Sequence, residues 1–221
     1  MTGHPTPPPS TSAPAGSRYD PGLLAILLGN ALTLVVALWQ RWSMLDLLWP
    51  FFFQSLIIGW YARRRLLLAP LLTVGNLRIN GRQVTDPEQA RRFFRWFFVA
   101  HYGLFHLAYA VFLLLMTARG SANADTDGPH WPLYLLLSLA FWWAHRLSHR
   151  EHLARDTGRP RSASLLMIMP YLRILPMHIT IIAMAERHGG QHEAGIVLLF
   201  MGLKTVADVG AHVIEHRLLR R

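Results

Sequence analysis

Residues 44–65 read MLDLLWPFFFQSLIIGWYARRR, an apolar run that stops abruptly on Arg63, Arg64 and Arg65. Its apolar residues form a block rather than the three-and-four spacing of an amphipathic helix, so every face is apolar and the segment reads as a membrane span. The closing arginines mark a cytoplasmic edge, because Lys and Arg are retained on that side. Similar blocks lie at about 22–40, 94–117, 132–149, 165–186 and 194–216, with 44–62 as the second. Each is near the roughly 20 residues that a hydrocarbon layer of about 30 Å requires. The expected fold is all-α: a six-transmembrane-helix bundle over 21–221, polytopic, with both termini cytoplasmic.

Composition agrees with that reading, since 52% of the 221 residues are hydrophobic and the mean hydropathy is +0.24. The formal net charge of +10 would suggest nucleic acid if the basic residues shared one face. They sit instead between apolar blocks, so membrane orientation explains them and no nucleic-acid partner is expected. With both termini inside, 17 of the 22 Lys and Arg fall on the cytoplasmic side, Arg41, Arg119 and Arg187 fall outside, and Arg173 and Lys204 lie within spans. This asymmetry supports an even span count. The chain has no cysteine, which excludes disulfides, thiolate metal sites and cysteine nucleophiles.

The stretch 1–20, MTGHPTPPPSTSAPAGSRYD, is too rich in Pro, Ser and Thr to bury a core and is expected to be a disordered tail. No signal peptide is expected, because prolines stand where a basic region should lead into an apolar one. The loop 63–93 carries the turn pairs Gly75-Asn76 and Asn80-Gly81 and has room for a small interfacial hairpin. Asp86, Pro87 and Gln89 form a start signal for the third helix.

Function is expected where polar groups enter the spans. A charge at membrane depth costs at least about 2.5 to 3.5 kcal/mol, so several together imply mutual compensation. In the sixth span, Lys204, Asp208, His212 and Glu215 fall within roughly an 80° sector, with His216 about 40° beyond His212. Lys204 is the only lysine in the chain. The stripe ends in His212-Val213-Ile214-Glu215-His216, the H-x-x-E-H pattern of inverted zinc peptidases, in which two histidines bind zinc and the glutamate polarises a water. A third ligand must then come from another helix. The alternative is a polar helix end that snorkels to the interface.

In the third span, His101 and His106 are about 140° apart, so they share a centre only on a buried or irregular helix. His101 is the stronger ligand candidate; His106 could equally be a hydrogen-bonded core histidine. In the fifth span, Pro170 and Pro176 are expected to break the helix around Arg173 and His178. The fourth span ends in His145, His149 and His152 on one face, after Trp142 and Trp143. It resembles superficially one histidine box of the di-iron fatty-acid hydroxylases, whose H-x-x-H-H boxes are missing. His145 is deep enough to be a ligand, whereas His149 and His152 are expected in the solvated interface. The common depth of these groups, with Gln54, points to one shared site.

The stretches Gln54–Gly59, His101–Phe105, Pro170–Ile174 with His178–Thr180, and Lys204–Asp208 with His212 resemble a bacterial family of polytopic inner-membrane proteins catalogued only as a domain of unknown function. The resemblance covers most of 22–216 and implies no established activity. The family pattern has an acid where Gln54 stands and a histidine where Tyr109 stands, which implies that His106 replaces that ligand from another turn.

The function expected from the sequence is an intramembrane metal site, zinc first and iron or manganese as alternatives, single or multinuclear. Its core ligands would be His101, His178, Asp208 and His212, with His145, His216 and His106 in support. As a hydrolase it would use Glu215 as base, with Arg173 and Lys204 holding an anionic substrate group. The substrate would be a lipid or a membrane peptide entering sideways from the bilayer. A b-type haem protein, a metal or proton transporter and a structural membrane protein are the rivals.

Overall fold

The computed structural model describes residues 21–122, 130–158, 160–186 and 193–220; the tail expected at 1–20 lies outside them. Near some helix ends, among them 151–152 and 215–220, only the backbone is described. The described residues form six helices: α1 (Pro21–Trp39), α2 (Met44–Leu68), α3 (Pro87–Ala122), α4 (Trp131–Asp156), α5 (Ala163–Glu186) and α6 (Glu193–Arg220). Within α2, α3, α5 and α6 lie segments long and apolar enough to cross a bilayer, and α1 is apolar over the shorter stretch Leu23–Trp39. The second half of α4 carries charge. The chain is an integral membrane protein. Its outer surface agrees: Val206 is 71% and Leu199 65% exposed, as apolar side chains facing lipid would be, while Leu47 and Leu48 are fully buried.

The central helix is α2, on which α3, α4 and α5 all pack; α6 packs on α5, and α1 rests chiefly on α6. One apolar core, with Trp42, Trp49, Phe51, Tyr134 and Phe200, fills the end where α2 begins. A second, with Leu66, Leu72, Val84, Phe94 and Leu166, lies under the α2–α3 loop at the opposite end, which carries Arg63, Arg64 and Arg65. That end is called the basic end.

Local chemistry sets the helix starts. Ser43 opens α2 with a capping box: its Oγ accepts from the Asp46 N–H at 3.2 Å, and Asp46 Oδ2 accepts from the Ser43 N–H at 2.9 Å. The same carboxylate accepts the Tyr134 hydroxyl, which fixes α4 to the start of α2. Asp86 accepts from the N–H groups of Glu88 and Gln89 at 2.9 and 3.2 Å and so starts α3 at Pro87. At the far end of α2, Arg91 donates to the carbonyls of Leu67 and Ala69 at 2.6 and 3.0 Å, filling acceptors that the helix leaves open.

The α2–α3 loop holds β1 (Leu72–Thr73), β2 (Arg78–Ile79) and β3 (Arg82–Gln83), and β4 (Arg161–Ser162) precedes α5. Strands β2 and β3 form an antiparallel hairpin whose turn residues Asn80 and Gly81 have φ of 51° and 78°, the left-handed region those residue types tolerate. Strand β1 pairs in parallel with β4, Leu72 opposite Arg161, a long-range contact.

The break expected in the fifth helix is absent. Helix α5 runs unbroken through Pro170 and Pro176, both buried. A proline removes one helical hydrogen bond, and neighbouring helices on both sides supply the packing that keeps the turn in place.

Candidate functional site

The polar residues of the spans collect in separate groups. On α6, Lys204 and Asp208 stand one turn apart, with Nζ 2.5 Å from Oδ2. Asn30 of α1 donates from Nδ2 to the same Oδ2 at 3.2 Å, and its Oδ1 accepts from Lys204 Nζ at 3.4 Å. All three are buried, and Nζ also lies 4.5 Å from the centroid of the Phe51 ring. The triad joins α1 to α6 and satisfies its charges internally.

A second group runs along α3. His101 Nδ1 lies 3.0 Å from the Tyr171 hydroxyl, and Tyr109 OH lies 2.7 Å from His178 Nδ1, so each of these contacts ties α3 to α5. Between them, His106 is buried with Nδ1 2.8 Å from the Tyr102 carbonyl, which requires the proton on that nitrogen. Its Nε2 meets Ser55 Oγ at 2.8 Å, and Tyr102 OH donates to the Ser55 carbonyl at 2.7 Å. Gly59 makes room for this ring, since a Cβ there would lie 2.3 Å from Tyr102 Cε1.

The third group lines an open cleft at the basic end with a volume of about 100 Å³. Its floor is α2, through Ile58, Tyr61, Ala62 and Arg65; one wall is α4, through His145 and His149; the other is α5, through Met169, Pro170 and Arg173. Helices α4 and α5 both pack on α2 and hardly on each other, so the cleft opens between them, sideways from the bundle. Arg65 is held by Asp156, with Nε to Oδ2 at 2.7 Å and Nη2 to Oδ1 at 3.0 Å, and Arg161 Nε reaches the same Oδ1 at 2.6 Å. Asp156 is fully buried. Ile58 and Arg173 also border a narrow recess that continues to Gln54, Lys204 and Asp208, so the cleft adjoins the buried triad.

The family is decided by a match over nearly the whole chain: the model of a family of unknown function (DUF6498) covers residues 12–221. The chain belongs to this family. Neither a curated protein nor a solved structure matches it. For this DUF6498 member the site must therefore be read from its own residues.

The single centre expected from common depth is divided in the fold. Among the described residues no three His, Asp or Glu side chains gather where they could hold a metal ion. His101, His106 and His178 each bond a tyrosine or serine partner, and Asp208 bonds Lys204 and Asn30. His145 and Arg173 both line the cleft, on opposite walls. His212 is half-buried on α6, and the side chains of Glu215, His216 and His152 lie outside the described residues.

His149 corrects the expectation of a solvated interface. It is only 8% exposed, and its Nε2 is buried without a hydrogen-bond partner. The reason lies beyond the apolar block: Asp156, gripped by two arginines, draws the end of α4 onto α2, and the His149 ring settles 4.9 Å from that of Tyr61. Asn30 and Asp156 were not anticipated. Asn30 had a signal, a polar residue in an otherwise apolar helix, whereas Asp156 sits in a charged stretch that reads as solvated.

Proposed function

We propose that this protein binds the anionic headgroup of an amphiphile in the cleft between α4 and α5, with the apolar chain left in the bilayer. The observation that carries the reading is the lining: the guanidiniums of Arg65 and Arg173 and the imidazoles of His145 and His149, with no acidic side chain among the described lining residues. Asp156 already holds Arg65 in place, and an anion in the cleft would add charge-assisted hydrogen bonds to the guanidiniums that face it. The sideways opening suits a ligand that diffuses in the membrane plane. The distribution of Lys and Arg along the sequence supports a cytoplasmic position for the basic end, and the membrane proposed is a bacterial inner membrane. A zinc-dependent hydrolase acting on the same amphiphile is the enzymatic form of this reading; no described ligand set favours it over binding alone.

The test is lipid retention by the purified protein in nanodiscs of mixed composition, read by native mass spectrometry. Anionic lipids should be retained over zwitterionic ones, and Arg173→Gln should weaken retention about tenfold or more, the worth of a charge-assisted contact. Equal retention of phosphatidylcholine and anionic lipids would remove the proposal.

A further inference from the structure

We infer that α4 thins the bilayer along its outer face by about 10 Å, drawing the phospholipid phosphates of the leaflet at the basic end down to Arg146.

Side-chain bonds fix the level of α4 against α2. At the basic end Asp156 closes α4 and accepts from Arg65 at 2.7 and 3.0 Å; at the opposite end the Tyr134 hydroxyl donates to Asp46. Between them the rings of His149 and Tyr61 lie 4.9 Å apart. The two helices therefore run antiparallel with their ends level. On α2 the apolar block fills that length, but on α4 the uncharged run ends early, at Ala144. From Trp131 to Ala144 it holds 14 residues and rises about 21 Å, against the roughly 30 Å of a hydrocarbon layer. The shortfall is about 9 Å, and any helix tilt would increase it. By contrast α3 exposes large apolar side chains from Trp96 to Leu115, a rise of about 30 Å.

The exposed tryptophans show the same step. Trp60 of α2 stands five residues before Arg65, and Trp96 of α3 five residues after Arg91, whose guanidinium bonds the Leu67 carbonyl at 2.6 Å. These two rings are thus nearly level, at the boundary where tryptophan is favoured. On α4 the exposed pair is Trp142 and Trp143, and Trp143 stands thirteen residues before Asp156, the partner of Arg65. Thirteen residues against five places this pair about 12 Å deeper.

Arg146 points to what fills the step. A long basic side chain near the end of a span ordinarily reaches up toward the headgroups. The Cζ of Arg146 instead lies 5.3 Å from the ring centre of Trp142 and 5.9 Å from that of Trp143, one turn nearer the middle of the helix. Its guanidinium therefore leans away from the basic end and rests on rings that face lipid. Arg150, one turn further on, is exposed as well. A charge in hydrocarbon is costly, and local thinning lowers the cost by letting phosphates and water reach it. Phosphate oxygens then accept charge-assisted hydrogen bonds from the guanidinium. His145, beside Arg146, lines the cleft, so the depression also brings headgroups to the level of that wall.

The experiment measures membrane depth at two positions of the intact protein, which contains no cysteine and so takes a single nitroxide label cleanly. Ala144→Cys on α4 and Leu104→Cys on α3 are exposed sites, twelve residues from Asp156 and thirteen from Arg91, and so lie nearly level in the fold. In dioleoylphosphatidylcholine bilayers a water-soluble nickel chelate should reach the label at Ala144→Cys and not that at Leu104→Cys, with the first about 10 Å shallower. Arg146→Leu should sink the α4 label to the depth of the α3 label, whereas Arg146→Lys should hold it up. Bilayers with 14-carbon chains should narrow the difference. Thermal unfolding checks that each variant is folded.

Equal depths for the two labels in the wild-type background would overturn the inference. So would an α4 label that neither oxygen nor the chelate reaches, since protein would then cover this face. A depth unchanged in a folded Arg146→Leu would overturn the role of Arg146. None of these outcomes touches headgroup binding in the cleft, which lipid retention tests separately.

Discussion

Replacing Lys204 by Met leaves Asp208, 6% exposed, with Asn30 as its one remaining partner in the triad. Removing one member of a buried ion pair costs about 3 to 5 kcal/mol, because the carboxylate then sits in a low dielectric without its cation. Removing the whole triad should behave differently. In Asn30→Leu/Lys204→Met/Asp208→Leu no buried polar group of the set is left, the methionine keeps contact with the Phe51 ring that Nζ now approaches at 4.5 Å, and apolar side chains join α1 to α6. Such replacements are neutral to about 1 to 4 kcal/mol stabilising. Unfolding in detergent, by heat or graded denaturant, should therefore rank Lys204→Met well below wild type and the triple variant at or above it. The same preparations tested for headgroup retention should show whether the recess beside Arg173 has lost function while gaining stability. A triple variant as unstable as the single one would refute the reasoning, since the triad would then be holding the fold.

Other outcomes follow from the same geometry. Asp156→Asn leaves Arg65 and Arg161 side by side without their shared carboxylate; stability should fall by about 3 to 5 kcal/mol, with weaker headgroup retention, and a change in melting temperature within error would contradict this. Gly59→Ala forces a methyl against the Tyr102 ring, whose hydroxyl is anchored on Ser55, and should cost about 1 to 3 kcal/mol. Gly103→Ala, with open space at its Cβ inside α3, should be neutral to about 1 kcal/mol stabilising and serves as the matched control. Asp86→Ala should cost about 1 kcal/mol and raise hydrogen exchange at Glu88 and Gln89, whose N–H groups it now accepts.

The helices, the loop hairpin and the location of buried charge were all readable along the chain, because each rests on local chemistry. Apolar blocks long enough for a bilayer set the helices; Asp86 before Pro87 set a helix start; Asn80-Gly81 set a turn with positive φ. Lys204 and Asp208, one turn apart, were bound to meet on any helix. The loss of backbone hydrogen bonds at Pro170 and Pro176 suggested a break, which the packed neighbours of α5 absorb.

What tertiary structure alone decided is which polar groups share a partner. Depth along the membrane normal can be counted from sequence, but the angle of each helix about its own axis and its neighbours cannot. That angle sends His101 to Tyr171 and His178 to Tyr109 rather than to Asp208, and sends Asn30 across the chain to Asp208. It was likewise a long-range contact, Asp156 with Arg65, that carried His149 out of its expected solvated place and into the wall of a cleft. The sequence determined that this membrane protein carries buried charge; the packing of α4 and α5 on α2 determined that the charge faces an opening.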